Sequence, residues 1–457
     1  MPTLSELELR FPPAWSEPLL AQIRESRQRL GLRIVVYCDD AILAAGIPNA
    51  PVLPQWDADS LHAALDTGAP LLYLLAGSRD ATPDDAHSLA HDTGGWLRAW
   101  AAAHQAALLV VYQCDAALRS PIATVAPALA AGLGQPGATP VLSFTQPETG
   151  FYTAADMHYV VTDKVLMPVF IPENRRRLDI PFEDESLAAW AAAHFGTTPA
   201  ALTLDVLRRE GPAALARHLS GKPLLVETLG QRDLEVLAMA ALSALEAGQP
   251  FLLCSTVALL PVLMGMASQQ TPADLESHAP EGDYGGLWIS GSCSALAGAQ
   301  LLQLQRMSTV YPVKFSLEAI IDEGDAYVEA RRSYVLRQLE MERDVLLTTS
   351  REYYQPEEGS TPQDLASRIH EALDSLVGGL GVQPRYLVVQ GSATAAHLAR
   401  ALTRTQPPRV LGTALPGVPA WKLGEDAVFP GLLFVPLPGH AGDVQALVRL
   451  DERIEGE

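Results

Sequence analysis

The sequence predicts an α/β fold with two α/β domains, mostly parallel sheets and a ligand cleft between the domains. Short apolar runs rich in β-branched residues alternate with longer alanine- and leucine-rich segments of helical periodicity. One polar and acidic stretch of turn-forming residues, 268–286, interrupts this alternation. The chain has 457 residues, 48% of them hydrophobic, which is enough for two or three separately buried cores.

Predicted strands occur in both halves of the chain. In the first half they are Arg33–Cys38, Pro70–Ala76, Ala107–Gln113 and Pro223–Thr228. In the second half they are Leu287–Ser290, Asp344–Thr349, Arg385–Gln390, Arg409–Leu411 and Gly431–Leu437. The mixed-charge segment Glu329–Arg343 is predicted to be an amphipathic helix. The pattern therefore predicts a domain at 1–267, a linker at 268–286 and a second domain at 287–457.

Charge and hydropathy exclude several classes of function. The formal net charge of −21 opposes contact with phosphate backbones, so no nucleic acid partner is expected. The basic triplet Arg175–Arg177 is interpreted as a solvated loop between Pro172 and Pro181, in preference to a phosphate clamp. The longest apolar stretch, Pro250–Gly265, is too short and too interrupted to span a bilayer, so no membrane partner is expected. The acidic first ten residues lack the features of a secretory signal, which predicts a cytoplasmic protein.

Common catalytic and metal-binding motifs are absent from the sequence. The chain contains no Gly-x-Ser-x-Gly, His-Glu-x-x-His or Cys-x-x-Cys pattern. Its four cysteines are far apart and lie beside or within apolar stretches, which favours small buried hydrophobic residues over disulfides or metal ligands. These cysteines are Cys38, Cys114, Cys254 and Cys293. The sequence therefore names no metal ligand.

Charged and polar residues follow the predicted strands of the first half. These residues are Asp39, Asp40, Ser78, Arg79, Asp115 and Arg119. Ligands of parallel α/β sheets gather beyond the carboxyl ends of the strands. Carboxylates and guanidinium groups at that edge can accept a proton and orient the polar groups of a small substrate. Two alternatives stay open: Asp39 or Asp40 caps a following helix, or Asp115 and Arg119 form an intrahelical i,i+4 pair.

Small residues follow the predicted strands of the second half. They occur in Gly291-Ser292, Thr349-Ser350-Arg351, Gly391-Ser392-Ala393-Thr394, Gly412 and Pro438-Gly439-His440-Ala441-Gly442-Asp443. Glycine-rich strand ends let backbone N–H groups cradle phosphate oxygens, especially where a helix starts at once, as predicted after Gly391. The stretch Gly391–Thr394 matches neither the P-loop nor the dinucleotide fingerprint, so ordinary turn chemistry is the alternative. Taken together, the two sets of residues predict that the second half binds a phosphate donor and that the first half, facing it, binds the acceptor.

A set of motifs spread along the chain points to one known family. They are Phe11-Pro12-Pro13-Ala14-Trp15, Val52-Leu53 with Trp56, Ser78-Arg79, His158-Tyr159-Val160, Arg232–Val236, Gly291-Ser292, Thr349-Ser350-Arg351, Val410–Gly424 and Pro438-Gly439 with Gly442-Asp443. The most specific of them is Val410–Gly424, which reads VLGTALPGVPAWKLG. With these motifs the chain resembles, nearly end to end, the four-carbon acid sugar kinase family.

The resemblance implies an N-terminal domain that binds an acid sugar and a C-terminal domain that binds ATP with Mg²⁺. It implies transfer of the γ-phosphoryl group of ATP to a hydroxyl of a small sugar acid or polyol, and leaves a homodimer open. The catalytic residues would be Asp39, Asp40 and Asp115, and the substrate-binding residues Ser78, Arg79, Arg119 and His158. The nucleotide would contact Gly291, Ser292, Gly391, Ser392, Thr394, Gly412, Pro416, Gly417, Gly439 and Gly442.

The sequence also departs from the motifs of the family it resembles. Ile42 and Leu43 stand where the family has threonine and glycine after the two acids. Gln113 and Phe151 stand in place of arginines, and Gln390 in place of a lysine. Cations of this kind usually supply several kcal/mol of electrostatic stabilisation in phosphoryl transfer. The alternative function is therefore a catalytically silent pseudokinase that acts as a binding or regulatory protein.

Overall fold

The computed structural model describes residues 1–40, 47–162, 164–178, 180–267, 271–279, 282–349, 362–439 and 441–456. Ile42, Leu43, Ser350, Arg351 and His440, which the sequence motifs include, lie outside the described residues. The chain divides into unit one, residues 1–40 and 56–270, and unit two, residues 41–55 and 271–457. Both units are α/β structures with largely parallel main sheets, which confirms the predicted fold class.

The strands of the described residues are distributed over both units. They are β1 Arg33–Cys38, β2 Val52–Leu53, β3 Leu71–Leu75, β4 Leu108–Gln113, β5 Thr139–Ser143, β6 Phe151–Ala154, β7 Met157–Thr162, β8 Val165–Pro168, β9 Ala200–Leu202, β10 Leu224–Val226, β11 Phe251–Ser255, β12 Leu287–Ser290, β13 Tyr311–Phe315, β14 Val345–Thr349, β15 Tyr386–Gln390, β16 Arg409–Leu415, β17 Val418–Lys422 and β18 Leu433–Leu437. Each strand predicted from the sequence therefore corresponds to an observed strand.

Helices connect most of these strands. They are α1 Leu4–Glu8, α2 Leu20–Arg29, α3 Ala58–Asp66, α4 Pro83–His104, α5 Ile122–Gly132, α6 Pro172–Leu178, α7 Leu187–Phe195, α8 Leu204–Glu210, α9 Gln231–Glu246, α10 Leu259–Leu263, α11 Leu275–His278, α12 Ala295–Met307, α13 Leu317–Glu323, α14 Asp325–Leu339, α15 Pro362–Gly378, α16 Ser392–Leu402 and α17 Ala446–Glu455. No helix in the described part of the chain combines the length and apolar character needed to cross a membrane.

The main sheet of unit one is built from parallel strands in the order β3-β1-β4-β11-β5-β10-β9. β1 is almost entirely buried, as expected for a parallel strand covered by helices on both faces. Next to the main sheet, β6, β7 and β8 form a small antiparallel sheet. The parallel arrangement brings the carboxyl ends of β1, β4, β11 and β5 to one edge, where the polar residues of this unit are found.

Two helices of unit one pack with their backbones unusually close. α4 begins after the N-cap Thr82, whose hydroxyl accepts a hydrogen bond from the Asp85 N–H, and has proline in its first turn. A β-carbon on Gly132 of α5 would lie 2.0 Å from the carbonyl oxygen of His91 in α4. Glycine at this position is therefore required for the contact between the two helices.

The main sheet of unit two follows the order β13-β14-β12-β15-β18-β17-β16. Its first five strands are parallel, and β17 runs antiparallel to both of its neighbours. An early segment of the chain also belongs to this unit, because the Val52 N–H donates to the Pro408 carbonyl at 2.8 Å. On the far side of β16, Ala273 donates to the Thr413 carbonyl at 3.0 Å. The described residues that follow 270 therefore pair with unit two.

Candidate functional site

Three carboxylates lie at the carboxyl edge of the sheet in unit one. Asp39 and Asp40 directly follow β1, and both are buried. Asp115 lies two residues beyond β4, and 14% of its side chain is exposed. β1 and β4 are parallel neighbours in which Cys38 pairs with Gln113, and the Asp39 N–H donates to the Gln113 carbonyl at 3.1 Å. The parallel register therefore places the three acids at the same sheet edge.

Two arginines neutralise part of this charge. Arg79 Nη2 donates to Asp40 Oδ2 at 2.5 Å, and Arg79 Nη1 lies 3.8 Å from Asp115 Oδ2. Arg119 Nε donates to the same Asp115 oxygen at 2.5 Å. Residues 115–119 form a turn in which Leu118 has a positive φ of 64°, so the Asp115–Arg119 pair is not intrahelical. The predicted residues Asp40, Arg79, Asp115 and Arg119 thus form one ion-pair cluster.

The pKa values of two of these acids shift in opposite directions. Burial raises the pKa of Asp39 to about 7; Arg79 opposes the shift, while the charges of Asp115 and Asp40 add to it. Burial also acts on Asp115, but Arg119 and Arg79 outweigh it and hold the pKa of this carboxyl below its ordinary value. At neutral pH the cluster therefore contains one carboxyl that can take up a proton and one that stays ionised.

Serine hydroxyls complete the polar contacts of the cluster. The Ser120 hydroxyl donates to Asp39 Oδ2 and accepts a hydrogen bond of 2.7 Å from the Asp115 N–H. The Ser78 hydroxyl lies 3.1 Å from the Tyr112 hydroxyl, and Ser78 is buried next to Arg79. Ser120 was not among the predicted site residues, because its spacing of five residues from Asp115 matches no general motif. The hydroxyl oxygen of Ser120 therefore connects Asp39 to the backbone of Asp115.

His158, a predicted substrate-binding residue, is fully buried with both ring nitrogens occupied. Its Nε2 donates to the Ala116 carbonyl at 2.7 Å, and Thr153 Oγ1 donates to its Nδ1 at 2.9 Å. Burial lowers the pKa of His158 to about 4, so the ring is neutral at pH 7. The structure therefore gives His158 the role of holding the turn that carries Asp115.

A cavity of about 260 Å³ lies at the carboxyl edge of the sheet in unit two. It is formed by the residues that follow three neighbouring strands, β12, β15 and β18. Its lining residues are Gly291, Ser292, Ser294, Gly391, Ser392, Ala393, Thr394 and Gly439. Six of these residues were predicted to contact a nucleotide, and the structure brings them together. None of the described lining residues is charged.

Two helices begin at this cavity. Ser294 is the N-cap of α12, and its hydroxyl accepts a hydrogen bond of 3.1 Å from the Ala297 N–H. α16 starts at Ser392, directly after Gly391, and has no side-chain cap. The first N–H groups of an uncapped helix are unsatisfied and carry the positive end of the helix dipole. The cavity therefore offers backbone donors suited to phosphate oxygens.

A buried network of amide side chains supports this cavity. The Ser290 hydroxyl donates to Gln390 Oε1 at 2.8 Å, and Gln390 Nε2 donates to Gln300 Oε1 at 2.7 Å. Gln300 Nε2 in turn donates to the carbonyls of Ala441 and Asp443, each at 2.8 Å. The network joins the ends of β12 and β15 to the loop after β18. Gln390, where the resemblance has a lysine, is thus a neutral structural residue in this chain.

The other predicted nucleotide residues lie outside the lining of this cavity. A β-carbon on Gly412 would lie 2.6 Å from the Thr271 carbonyl, so this glycine permits the close approach of residues 271–273 to β16. Pro416 and Gly417 form the turn between β16 and β17, where Gly417 has a φ of 76°. Gly442 packs against Ala446 of α17. These positions contribute to the fold of unit two.

One group of carboxylates in unit two has the spacing of a metal site. Oxygens of Asp344, Asp451 and Glu455 lie within 4.8 Å of one another. Arg385 contacts Glu455 and lies 3.9 Å from Asp344 Oδ2. Asp344 precedes β14 and therefore lies at the amino end of this strand, whereas the cavity lies at the carboxyl ends. The guanidinium group already supplies the positive charge that a metal ion would bring.

Family comparisons match two different domains along the chain. Residues 39–263 match the sugar-binding N-terminal domain, and residues 287–447 match the nucleotide-binding C-terminal domain. The fold and the sites therefore define a kinase-like protein with one sugar-binding and one nucleotide-binding domain. The chain belongs to the four-carbon acid sugar kinase family, as the sequence motifs predicted. A search of functionally curated proteins gave no match.

Two of the similar solved structures share the fold. A Salmonella typhimurium LT2 protein described as a candidate tRNA synthase has a TM-score of 0.63 and 18% identity, over 91% of this chain and 98% of its own. A DUF1537 protein from Haemophilus influenzae has a TM-score of 0.58 and 15% identity, over 92% of this chain and 100% of its own. A Bordetella bronchiseptica DUF1537 protein, solved with citrate as a domain-swapped dimer, has a TM-score of 0.37 and 19% identity, over 97% of both chains.

Proposed function

We propose that this protein is an ATP-dependent kinase that transfers the γ-phosphoryl group to a hydroxyl of a small sugar acid or polyol. The observation that carries the proposal is the buried cluster at the edge of unit one, in which Asp39 has a pKa of about 7 between two ion-paired carboxylates. A general base works best when its pKa lies near the working pH. The domain matches do not favour the catalytically silent alternative.

Asp39 is assigned the role of general base. The acceptor hydroxyl oxygen forms a bond to the γ-phosphorus while the bond between that phosphorus and the bridging oxygen of ADP breaks, and the hydroxyl proton passes to Asp39. Asp115 is a weaker base, because Arg119 and Arg79 lower its pKa. Its ionised carboxylate is suited to accept a hydrogen bond from another hydroxyl of the acceptor.

The arginines are assigned to positioning the acids and the acceptor. Arg79 and Arg119 are 18% and 20% exposed, so both reach the surface of the cluster. Arg79 fixes Asp40 through a contact of 2.5 Å, and Arg119 fixes Asp115. Positive charge beside the transferred group also stabilises the charge that develops on it.

The cavity at the start of α16 is assigned to the phosphates of ATP. Its glycine and serine residues present backbone N–H groups and hydroxyls, which bind phosphate oxygens without a cationic side chain. The resemblance implies that ATP is bound with Mg²⁺. Magnesium prefers carboxylate oxygens and water, and the described lining residues include no carboxylate. We therefore assign no magnesium ligand to this chain.

The proposed function is tested by measuring ADP release with ATP, Mg²⁺ and a panel of four- to six-carbon sugar acids and polyols. The expected result is acceptor-dependent ADP formation and a phosphorylated product visible by ³¹P NMR. Isothermal titration with ATP measures nucleotide binding separately. ATP binding without turnover of any acceptor would instead support the binding or regulatory alternative, and the absence of both would reject the proposal.

Alanine in place of Gly439 is expected to weaken ATP binding. Its β-carbon would lie 2.0 Å from the Ser292 hydroxyl oxygen, so the two loops that line the cavity must separate. A loss of about 1.4 kcal/mol corresponds to a tenfold higher Kd, and we expect at least about this change by titration calorimetry. Gly378→Ala is the matched control, because a β-carbon there meets nothing within 4 Å. Equal affinities for ATP in both variants would contradict the assignment.

A further inference from the structure

We infer that the acceptor is an uncharged polyol or sugar, not a sugar acid, and that its hydroxyl groups bind a neutral row of side chains formed by Gln113, Ser255 and Ser143. The inference rests on the function proposed above and specifies its substrate class. It follows from the balance of charge at the edge of unit one and from two serine hydroxyl groups that have no hydrogen-bond partner among the residues that the structure describes.

The charges of the cluster leave no surplus positive charge for a carboxylate ligand. Three carboxylates face two guanidinium groups, and each guanidinium already contacts a carboxylate: Arg79 with Asp40, and Arg119 with Asp115. When Asp39 is ionised, as a base must be before it accepts a proton, the cluster carries one net negative charge. An acid sugar would add a like charge beside it, which raises the free energy of the complex.

Two neighbouring aromatic side chains, His158 and Phe151, are uncharged. His158, which lies beneath the turn of Asp115, uses both nitrogens within the protein and is neutral. Phe151 stacks on this ring with 5.5 Å between the ring centroids. Among the largest influences on the pKa values of Asp39 and Asp115, the positive charges are those of Arg79 and Arg119. The main positive charges beside the acids are therefore those two arginines, and both already contact carboxylates.

The neutral row lies along the same sheet edge. Ser255 of β11 pairs in register with Gln113 of β4 on one side and with Ser143 of β5 on the other, so the three residues end adjacent strands. Each of the three is 1% exposed. The hydroxyl oxygens of Ser143 and Ser255 have no hydrogen-bond partner among the described residues.

Unpartnered buried hydroxyls are costly, so they point to a ligand that supplies the missing bonds. A hydroxyl group both donates and accepts, as the hydroxyls of a polyol do, and therefore fits serine and glutamine side chains without any change of charge. A carboxylate only accepts and would gain nothing here from ion pairing. The row thus matches the chemistry of an uncharged polyhydroxylated acceptor.

Matched acceptors test the substrate class. Each alditol is compared with the aldonate of the same carbon number and stereochemistry, and kcat/KM is measured with saturating ATP and Mg²⁺. We expect kcat/KM to be at least about tenfold higher for the alditol, which corresponds to one 1.4 kcal/mol step. An aldonate that reacts equally well or better would overturn the inference while the kinase proposal stands. If neither series releases ADP, the proposed function itself has failed.

Serine-to-alanine variants test the neutral row. Ser143→Ala and Ser255→Ala each remove a hydroxyl that has no hydrogen-bond partner in the described part of the chain, so the midpoint of thermal unfolding should not fall. The KM for the alditol should rise about fivefold in each, the effect of losing one hydrogen bond worth about 1 kcal/mol. Ser26→Ala, a buried serine in α2, is the control and should leave KM unchanged. Unchanged KM in both row variants would overturn the inference.

Discussion

Replacement of Asp39 by asparagine is expected to lower kcat about 10²- to 10⁴-fold, the usual contribution of a positioned general base. Asparagine has nearly the same shape and can still accept the hydrogen bond from Ser120, but it cannot take up a proton. Steady-state ADP release measures kcat, and titration with ATP shows whether the nucleotide site in unit two is intact. Asp80→Asn, at an exposed position beside Arg79, makes the same change of charge and should retain activity.

The pH dependence of the wild type gives an independent readout of the same group. Because the pKa of Asp39 is about 7, the fraction of the base that is deprotonated rises as pH increases through 7. We expect kcat/KM to fall about tenfold for each pH unit below that value. A profile that is flat between pH 5 and 8 would assign the proton transfer to another group.

The same carboxyl makes the free energy of unfolding depend on pH. Its pKa is raised from 3.8 in an unfolded chain to about 7 in the fold, so between these values the folded state binds more protons than the unfolded state. Stability therefore declines as pH rises from 4 to 7. Asp39→Asn removes this penalty and should raise the free energy of unfolding at pH 8 by up to about 4 kcal/mol, since each pKa unit is worth about 1.4 kcal/mol. Urea unfolding at pH 5 and pH 8 measures the difference.

Strand positions could be read from the sequence where a strand is a short isolated apolar run. β1 and β12 have the predicted bounds, because each is a continuous apolar segment that ends at a polar or turn-forming residue. β11 could not be predicted from the sequence, because Phe251–Ser255 lies within a longer apolar stretch that continues into α10. Periodicity cannot separate a buried strand from a buried helix in such a stretch. Ser255 was consequently not recognised as a strand-end residue.

Some features of the candidate site could likewise be predicted from local sequence, whereas others depend on contacts between residues that are distant in the sequence. The positions of Asp39, Arg79 and Asp115 after strands predicted their shared edge, because parallel strands all end on one side. The pairing of Arg79 with Asp40 joins residues that are 39 positions apart, and no local pattern encodes it. The motif that contains Pro416 and Gly417 is the most specific in the sequence, but it forms the hairpin of β16 and β17. The turn of this hairpin does not line the cavity, so a specific motif here predicted the fold and not the site.

Replacement of Arg79 by methionine is expected to destabilise the protein by about 3–5 kcal/mol, the usual cost of leaving a buried charge without its partner. Arg79 contacts Asp40, which is 1% exposed, and also lies near Asp115, so the variant leaves negative charge uncompensated in a buried cluster. Burial acts to lower the pKa of the guanidinium, but the neighbouring carboxylates outweigh it and raise the pKa, so Arg79 is charged at every accessible pH. Chemical denaturation at pH 7 measures the loss.

A surface pair supplies the matched control for this variant. Arg29 contacts Glu246 with 64% of its side chain exposed, and exposed pairs contribute at most about 1 kcal/mol, so Arg29→Met should have little effect. The deficit of Arg79→Met should shrink at pH 4, because Asp39, with a pKa of about 7, is then protonated and the cluster carries less negative charge for the arginine to compensate. Equal losses for the two variants, or a deficit that does not change with pH, would show that Arg79 acts by packing and not as the counter-charge of the acids.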